Sequence, residues 1–367
     1  MLESKKRSIT GLRESFLETG RAFVTYRFPG TTEQMIMSGH VNLLPENNFS
    51  HLISGRLGFL MAGFNSSTPP LWLEADYFSR YPASEKLQPA PISETLPLLP
   101  LIDVYEVSET DYIQQVEKVT TELKSGKAGK VVLSRMMTTP FENPYSAPAL
   151  FDWLCHTHQE AFVYLAFLPP HGLWIGATPE KLLTYKEQTV STMALAGTRK
   201  VQSSNEWTRK EYSEHAFVSS YIQEKLEKTH CINIEHSAPY TVRAGKAEHL
   251  RTDFTAKCSR HQAAELIKEL HPTPAVCGMP VNEALRIIGQ TESHERSYYT
   301  GFLGPVGNET INLFVNLRCM QLIKEKAIIY AGGGLTADSN PQAEWDETVL
   351  KSGTMMAAIE KMRNLAN

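Results

Sequence analysis

The spacing of apolar positions changes several times along the chain, and each change predicts an element. Short apolar runs at Ala22–Phe28, Met35–Met37 and Leu57–Met61, separated by Gly, Asn and Ser, predict antiparallel strands up to about residue 88, where no chemistry is visible. Ser108 stands where an N-cap would, ahead of Tyr112, Ile113, Val116, Val119 and Leu123 at helical spacing, and Gly126 and Gly129 end that helix. Lys130 opens the strand-like run KVVLSRMMTTP. A hairpin follows from Ala161–Leu168 to Gly172–Ala177 through a Pro-Pro-His turn, and TVSTMALAG reads as a further strand. Phe217, Val218, Tyr221, Ile222 and Leu226 share one face of a helix over Glu211–Lys228, and Ala263–Leu270 is a shorter helix stopped by His271-Pro272. In the last third, INLFVNLRCMQL and KAIIYAGGG read as two paired strands, and Gln342–Leu365 as one long helix. No repeat of about 20–50 residues is present, so solenoids and propellers are not expected. The reading is an α+β fold.

The stretch PAPISETLPLLP, Pro89–Pro100, can sustain neither a helix nor a central strand and is the candidate connection between two parts of the chain. A length of 367 residues suits two average domains or one large fold. Hydrophobic residues at 42% and charged residues at 21% describe an ordinary globular chain able to bury a core. Thirty-six Lys and Arg against forty Asp and Glu leave a net charge of −4, which gives no basic surface for nucleic acid or an anionic membrane. The five cysteines are scattered without a C-x-x-C, so neither a disulfide framework nor a structural zinc site is expected. The first residues, MLESKKRSIT, lack the apolar core of a signal peptide, and no apolar run approaches the roughly 18 residues of a spanning helix. The expectation is a cytoplasmic protein.

Chemistry concentrates late in the chain. Glu344, Glu347 and Lys351, at i, i+3 and i+7, project from one stripe of the last helix, which is charged where a core face would be apolar. Read alone, the stripe is a solvated face carrying a Glu347–Lys351 pair. Read with Gly332, Gly333 and Gly334 just before it, where absent side chains let an anion approach backbone N–H groups, it is one wall of a site. Glu214 lies one turn before Val218 at the edge of an apolar stripe; two carboxylates converging from different helices would suit a hard cation such as Mg²⁺. Lys130 and Glu180 each sit at a strand end, either as plain polar residues or as a base with lowered pKa and an acid with raised pKa. Arg318 is a charge inside an otherwise apolar strand and needs an anionic partner, from substrate or protein. His249 and Tyr330 are weaker candidates. No G-x-S-x-G, Walker loop, H-E-x-x-H or strand-borne G-x-G-x-x-G is present, so triad hydrolase, nucleotide triphosphatase, zinc protease and Rossmann readings lack their signals.

Taken together, KVVLSR, GATPEKLL, ALAGTR, SEHAFV, LHPTPAVCGMP, GFLGPVG, NLRC, YAGGGL and AEWDETVLKS, in this order from Lys130 to Ser352, resemble the chorismate-utilising enzymes. That family includes isochorismate synthase, salicylate synthase, anthranilate synthase component I and aminodeoxychorismate synthase. The resemblance implies two stacked antiparallel sheets flanked by helices, with the site in the cleft between them. It also implies a single domain over residues 1–367 in place of a division at Pro89, residues 1–100 matching only loosely. It makes Glu214 and Glu347 the Mg²⁺ ligands, with Glu344 nearby. It makes Arg318, Tyr330, the Gly332–Gly334 backbone and Lys351 the cradle for the two carboxylates of chorismate, with His249, Gly197 and Thr198 lining its ring. In branches that install an amino group the position of Lys130 is usually Gln. Lysine there implies water as nucleophile at ring carbon 2, Glu180 protonating the hydroxyl that leaves carbon 4, and no glutamine amidotransferase subunit. The aminodeoxychorismate branch often has Lys where this chain has Ala196. The expectation is therefore isochorismate synthesis, in a menaquinone or siderophore pathway. Salicylate synthesis with pyruvate loss is the alternative, and a silent chorismate-binding regulatory subunit a distant one.

Overall fold

The computed structural model describes residues 9–45, 49–82, 104, 106–141, 146–200, 206–244, 247–323 and 325–366. The connection expected at Pro89–Pro100 lies outside the described residues.

The strands form one antiparallel path. It starts with β10 (Ile232–His236) and β11 (Tyr240–Ala244), both on β12 (Ala247–Lys257), and passes through β9 (Thr189–Lys200), β8 (Lys181–Lys186), β15 (Thr310–Val315), β14 (Phe302–Val306) and β3 (Gly58–Ala62) to β4 (Leu71–Tyr81). From there it runs through β2 (Gln34–Leu43), β1 (Phe23–Arg27), β6 (Phe162–Phe167), β7 (Leu173–Thr178), β16 (Cys319–Ile323) and β17 (Lys326–Leu335) to β5 (Lys130–Pro140) and the short β13 (Gly278–Met279). The two stacked layers expected from the resemblance are thus two halves of a single sheet folded back on itself. The β2–β4 pairing slips between Ser38 and Gly39, and a register slip of this kind bends and twists a sheet.

One hydrophobic cluster joins the two halves: Phe59, Met61, Leu71, Leu73 and Leu303 meet Phe162, Tyr164, Trp174, Ile328 and Tyr330. Helices cover the outer faces. The half ending in β5 is covered by α1 (Ile9–Glu18), α4 (Ala147–Thr157) and the C-terminal part of α8 (Pro341–Ala366), where Leu150, Phe151, Met355 and Ile359 meet Leu165, Ile175 and Ile329. The other half is covered by α5 (Arg209–Lys228) and α6 (Arg260–Leu270), through Val218, Ile222, Leu266 and Ile267 against Leu183, Ala194, Phe254 and Leu313. Beneath β5 lie α3 (Glu109–Lys124) and α7 (Val281–Thr291). Being covered on both faces is why FVYLAF of β6 and LWIGAT of β7 are apolar without alternation.

Periodicity located α3, with Ser108 as its cap accepting from Asp111 N–H, and also α5, α6 and α8. The run INLFVNLRCMQL is not one strand. It breaks at Asn316–Arg318 into β15, which pairs with β8 and β14, and β16, which pairs with β7 and β17. Arg318 adopts a positive φ of 47° there, so the charge expected inside a strand sits in a turn between two.

Candidate active site

Strand directions assemble one end of the site. Along β7, β16, β17 and β5 the strands alternate, so the C-terminal ends of β7 and β17 lie beside the N-terminal ends of β16 and β5. These ends carry Glu180, Gly332–Gly334, Arg318 and Lys130 in turn. Lys130 and Glu180 therefore leave backbones three strand spacings apart, about 14 Å, and converge on a cavity of about 260 Å³. The facing wall is the end of β9, with Ala196 and Gly197, and His249 of β12. Helices α5 and α8 close the sides with Glu214, Glu344, Glu347 and Lys351.

The polar groups are paired with one another. Lys130 Nζ donates to Glu214 Oε1 at 2.6 Å, and Lys351 Nζ to Glu347 Oε1 at 2.6 Å and to the Gly332 carbonyl at 2.9 Å. Arg318 donates to the Lys351 carbonyl at 2.9 Å, fixing α8 against the turn. Arg135 of β5 holds the same helix from below: Nε donates to Thr348 Oγ1 at 2.7 Å while the guanidinium lies 3.8 Å over the Trp345 ring. Burial would raise the Glu347 carboxyl, but Lys351, Lys130 and Arg318 outweigh it and hold it below the usual carboxylate range. Glu180 differs. It is 7% exposed, and burial, only partly offset by Lys130 and Lys351, pushes its carboxyl up to about 7. Burial and the nearby Lys351 and Arg318 pull His249 down to about 4, leaving a neutral imidazole whose ring N–H meets the Gly197 carbonyl. Tyr330 stacks between Trp174 and Tyr299, at 5.6 and 5.3 Å between ring centroids.

The glycines are needed for contact. A Cβ on Gly333 would stand 3.0 Å from Glu344 Oε2 and 3.8 Å from Glu347 Oε1, and one on Gly334 would press on the Lys130 side chain at 2.7 Å. Among the described residues no three of His, Cys, Asp and Glu converge closely enough to cage a metal by themselves. Two hard carboxylates against a backbone notch still match the donor set of a small divalent ion that keeps several waters.

Residues 78–360 match the sequence profile of the family described as "Chorismate binding enzyme". The chain belongs to this family. Among its relatives, isochorismate synthase MenF of Haemophilus influenzae is 28% identical over 257 residues, covering 66% of this chain and 59% of the relative. Isochorismate synthase 2, chloroplastic, of Arabidopsis thaliana is 32% identical over 250 residues, covering 65% and 44%. The match thus spans about half the length of these relatives. In fold, the chain is similar to the menaquinone-specific isochorismate synthase MenF of Escherichia coli, with TM-score 0.79, 20% identity and coverage of 96% of this chain and 92% of that one.

All residues nominated from the sequence line this cavity except Gly333, whose missing Cβ faces Glu344, and Thr198, whose backbone pairs with His249 on β12. The role expected of the Thr198 side chain lies outside the described residues. Lys130, expected as a deprotonated base, is held in an ion pair with Glu214, because α5 brings that carboxylate within reach. Sequence reasoning missed Tyr299, Glu211 and the apolar lining of Val132, Leu195, Ala275 and Val276. It also missed the support under the glycines: Glu292 Oε1 accepts from Ser134 N–H and from Arg296, both at 2.6 Å, and Ser134 pairs with Gly332. The i,i+4 spacing of Glu292 and Arg296 was its only trace in the sequence. No helix among the described residues is long and apolar enough to cross a membrane.

Proposed function

We propose that the protein is a Mg²⁺-dependent isochorismate synthase, a single chorismate-binding unit over residues 1–367. The observation that carries the reading is that Lys130 and a buried Glu180 of raised pKa line one cavity, reaching it from strands separated by two others. The cationic groups Arg318 and Lys351 and the glycine-rich backbone suit a dicarboxylate, and Val132, Leu195 and Ala275 suit the faces of a ring.

In this reading Lys130 leaves Glu214 and gives up its own proton, and the neutral amine then takes the proton of a water directed at ring carbon 2. Glu180, protonated below about pH 7, donates a proton to the hydroxyl leaving carbon 4. The ring double bonds shift as one hydroxyl enters and the other departs as water, so the composition is unchanged. Glu214 and Glu347, with Glu344 beside them, would hold Mg²⁺, which when bound neutralises the ring carboxylate. His249, neutral, contributes shape and a hydrogen bond rather than charge. No glutamine amidotransferase partner is required, because the nucleophile is water.

Incubation of the purified protein with chorismate and Mg²⁺, followed by chromatography, tests this. Isochorismate is expected, and chelation should stop its formation until Mg²⁺ is restored. Salicylate with pyruvate would instead identify a salicylate synthase. Chorismate binding without turnover would identify a silent regulatory subunit.

A further inference from the structure

Two thiols meet away from the cavity. Cys231 follows α5 and Cys258 precedes α6, each one residue beyond the terminal β10–β12 pair, Ile232 with Lys257. In that register the two cysteines stand opposite each other. Their N–H groups point elsewhere, Cys231 donating to the Leu226 carbonyl and Cys258 to the Gln188 carbonyl. They therefore form the narrow, non-hydrogen-bonded kind of antiparallel pair, with Cα atoms about 4.5 Å apart, inside the window of about 4.4–6.8 Å that a disulfide bridges. Both side chains turn into the cluster beneath α5 and α6, beside Leu226, Ala263 and Ile267, where the thiols hydrogen-bond each other.

An independent contact holds the two chain segments together. Ser259 caps α6, and Gln262 of that capping box donates from Nε2 to the Thr229 and His230 carbonyls at 3.2 and 2.8 Å, tying the first turn of α6 to the residues that end α5. The loop between the cysteines is thus closed before any bond joins them. Cys231 and Cys258 are each 7% exposed, while their neighbours His230, Ile232, Lys257 and Ser259 are exposed, so the sulfurs lie one layer below the surface. The hydrogen bond from Cys258 outweighs burial and, with Thr229 Oγ1 at 3.5 Å from Cys231 Sγ, pulls the Cys231 thiol below its usual range; the same contact pushes Cys258 up.

We propose that Cys231 and Cys258 form a reactive dithiol that closes to a disulfide on meeting a small-molecule disulfide, clamping α5 to α6. The Cys231 thiolate attacks one sulfur of the small disulfide and expels the other as a thiolate, which takes up the proton that Cys231 gave up. Cys258, losing its own proton, then attacks the Cys231 sulfur of the mixed disulfide. The protein's S–S bond forms, the second small thiolate leaves, and it takes up the proton from Cys258. The two cysteines give up two electrons and one small disulfide becomes two thiols. Excess small thiol reverses both steps.

Incubation of the full chain with oxidised glutathione near neutral pH, an acid quench, alkylation of the remaining thiols in denaturant and peptide mass mapping test this. Wild type should lose alkylation at Cys231 and Cys258, carry no bound glutathione and yield a cross-linked peptide joining the two, while Cys155, Cys277 and Cys319 stay alkylatable. Dithiothreitol should restore both thiols. Cys258→Ser should accumulate glutathione on Cys231, and Cys231→Ser should take it up on Cys258 about 10-fold more slowly, as the thiolate fractions require. The oxidised wild type should unfold at a midpoint a few degrees above the reduced form, because the cross-link restricts the denatured chain. Five alkylatable cysteines after oxidation, glutathione that stays on wild-type Cys231, or a cross-link to another cysteine would overturn the dithiol assignment. A Cys231–Cys258 disulfide that leaves the midpoint unchanged would overturn the clamp.

Discussion

Glu180→Gln isolates an acid that the fold holds near neutrality. Burial moves the Glu180 carboxyl from the usual 4.5 to about 7. At about 1.4 kcal/mol for each pH unit this displacement corresponds to roughly 3 kcal/mol of folding free energy. The sign follows from proton binding: between these two values the folded chain keeps a proton that the unfolded chain releases. The contribution of protonated Glu180 is therefore full below pH 4.5 and lost as pH rises through about 7. Glutamine keeps the shape and cannot ionise, so the variant lacks this slope. Urea unfolding followed by circular dichroism at about pH 5 and about pH 8.5 should show the variant gaining roughly 2–3 kcal/mol on wild type across that interval. Turnover in the variant should fall about 10²–10⁴-fold, the usual worth of a positioned general acid, with substrate binding largely retained. Stability curves that stay parallel across the interval would refute the assignment of a buried, high-pKa carboxyl to this position.

Other outcomes follow from single contacts. Lys130→Ala should lower turnover by at least about 10²-fold while leaving substrate affinity close to wild type, measured by steady-state kinetics and equilibrium binding; normal activity would remove the proposed base. Gly333→Ala should weaken Mg²⁺ binding in a calorimetric titration, because its Cβ would crowd Glu344 Oε2 at 3.0 Å, with little change in the unfolding midpoint. Arg296→Met should cost about 3–5 kcal/mol in urea unfolding, since it strands Glu292 in a pair whose side chains are 2% and 3% exposed; a loss under about 1 kcal/mol would show that the pair is not a support.

The helices were the most legible part of the chain. In α3, Tyr112, Val116, Val119 and Leu123 are all buried on one face, and in α8 the spacing of Glu344, Glu347 and Lys351 places them on the cavity wall. Two features were not legible for physical reasons. The break at Asn316–Arg318 contains neither Gly nor Pro, and the flanking residues are apolar because both strands are buried; only pairing with different neighbours separates β15 from β16. The strands β10 to β12 gave a weak pattern because INIEH is largely solvent-facing, with Ile232 64% exposed, so His249 acquired its place from pairing with Thr198 and not from periodicity. The Lys130–Glu214 contact joins residues 84 positions apart, on a strand and a helix in different halves of the molecule. The sequence supplied those two residue types, while their meeting depends on how the sheet folds over.

In the proposed reaction, water admitted beside Lys130 becomes the new hydroxyl of the ring. Turnover of chorismate in ¹⁸O-enriched water, with Mg²⁺ present and the product examined by mass spectrometry, tests it directly. Isochorismate carrying one heavy oxygen at carbon 2 is expected, with none at that position in solvent of natural abundance. Isochorismate formed in enriched water without the label, its hydroxyl having moved within the substrate, would contradict it.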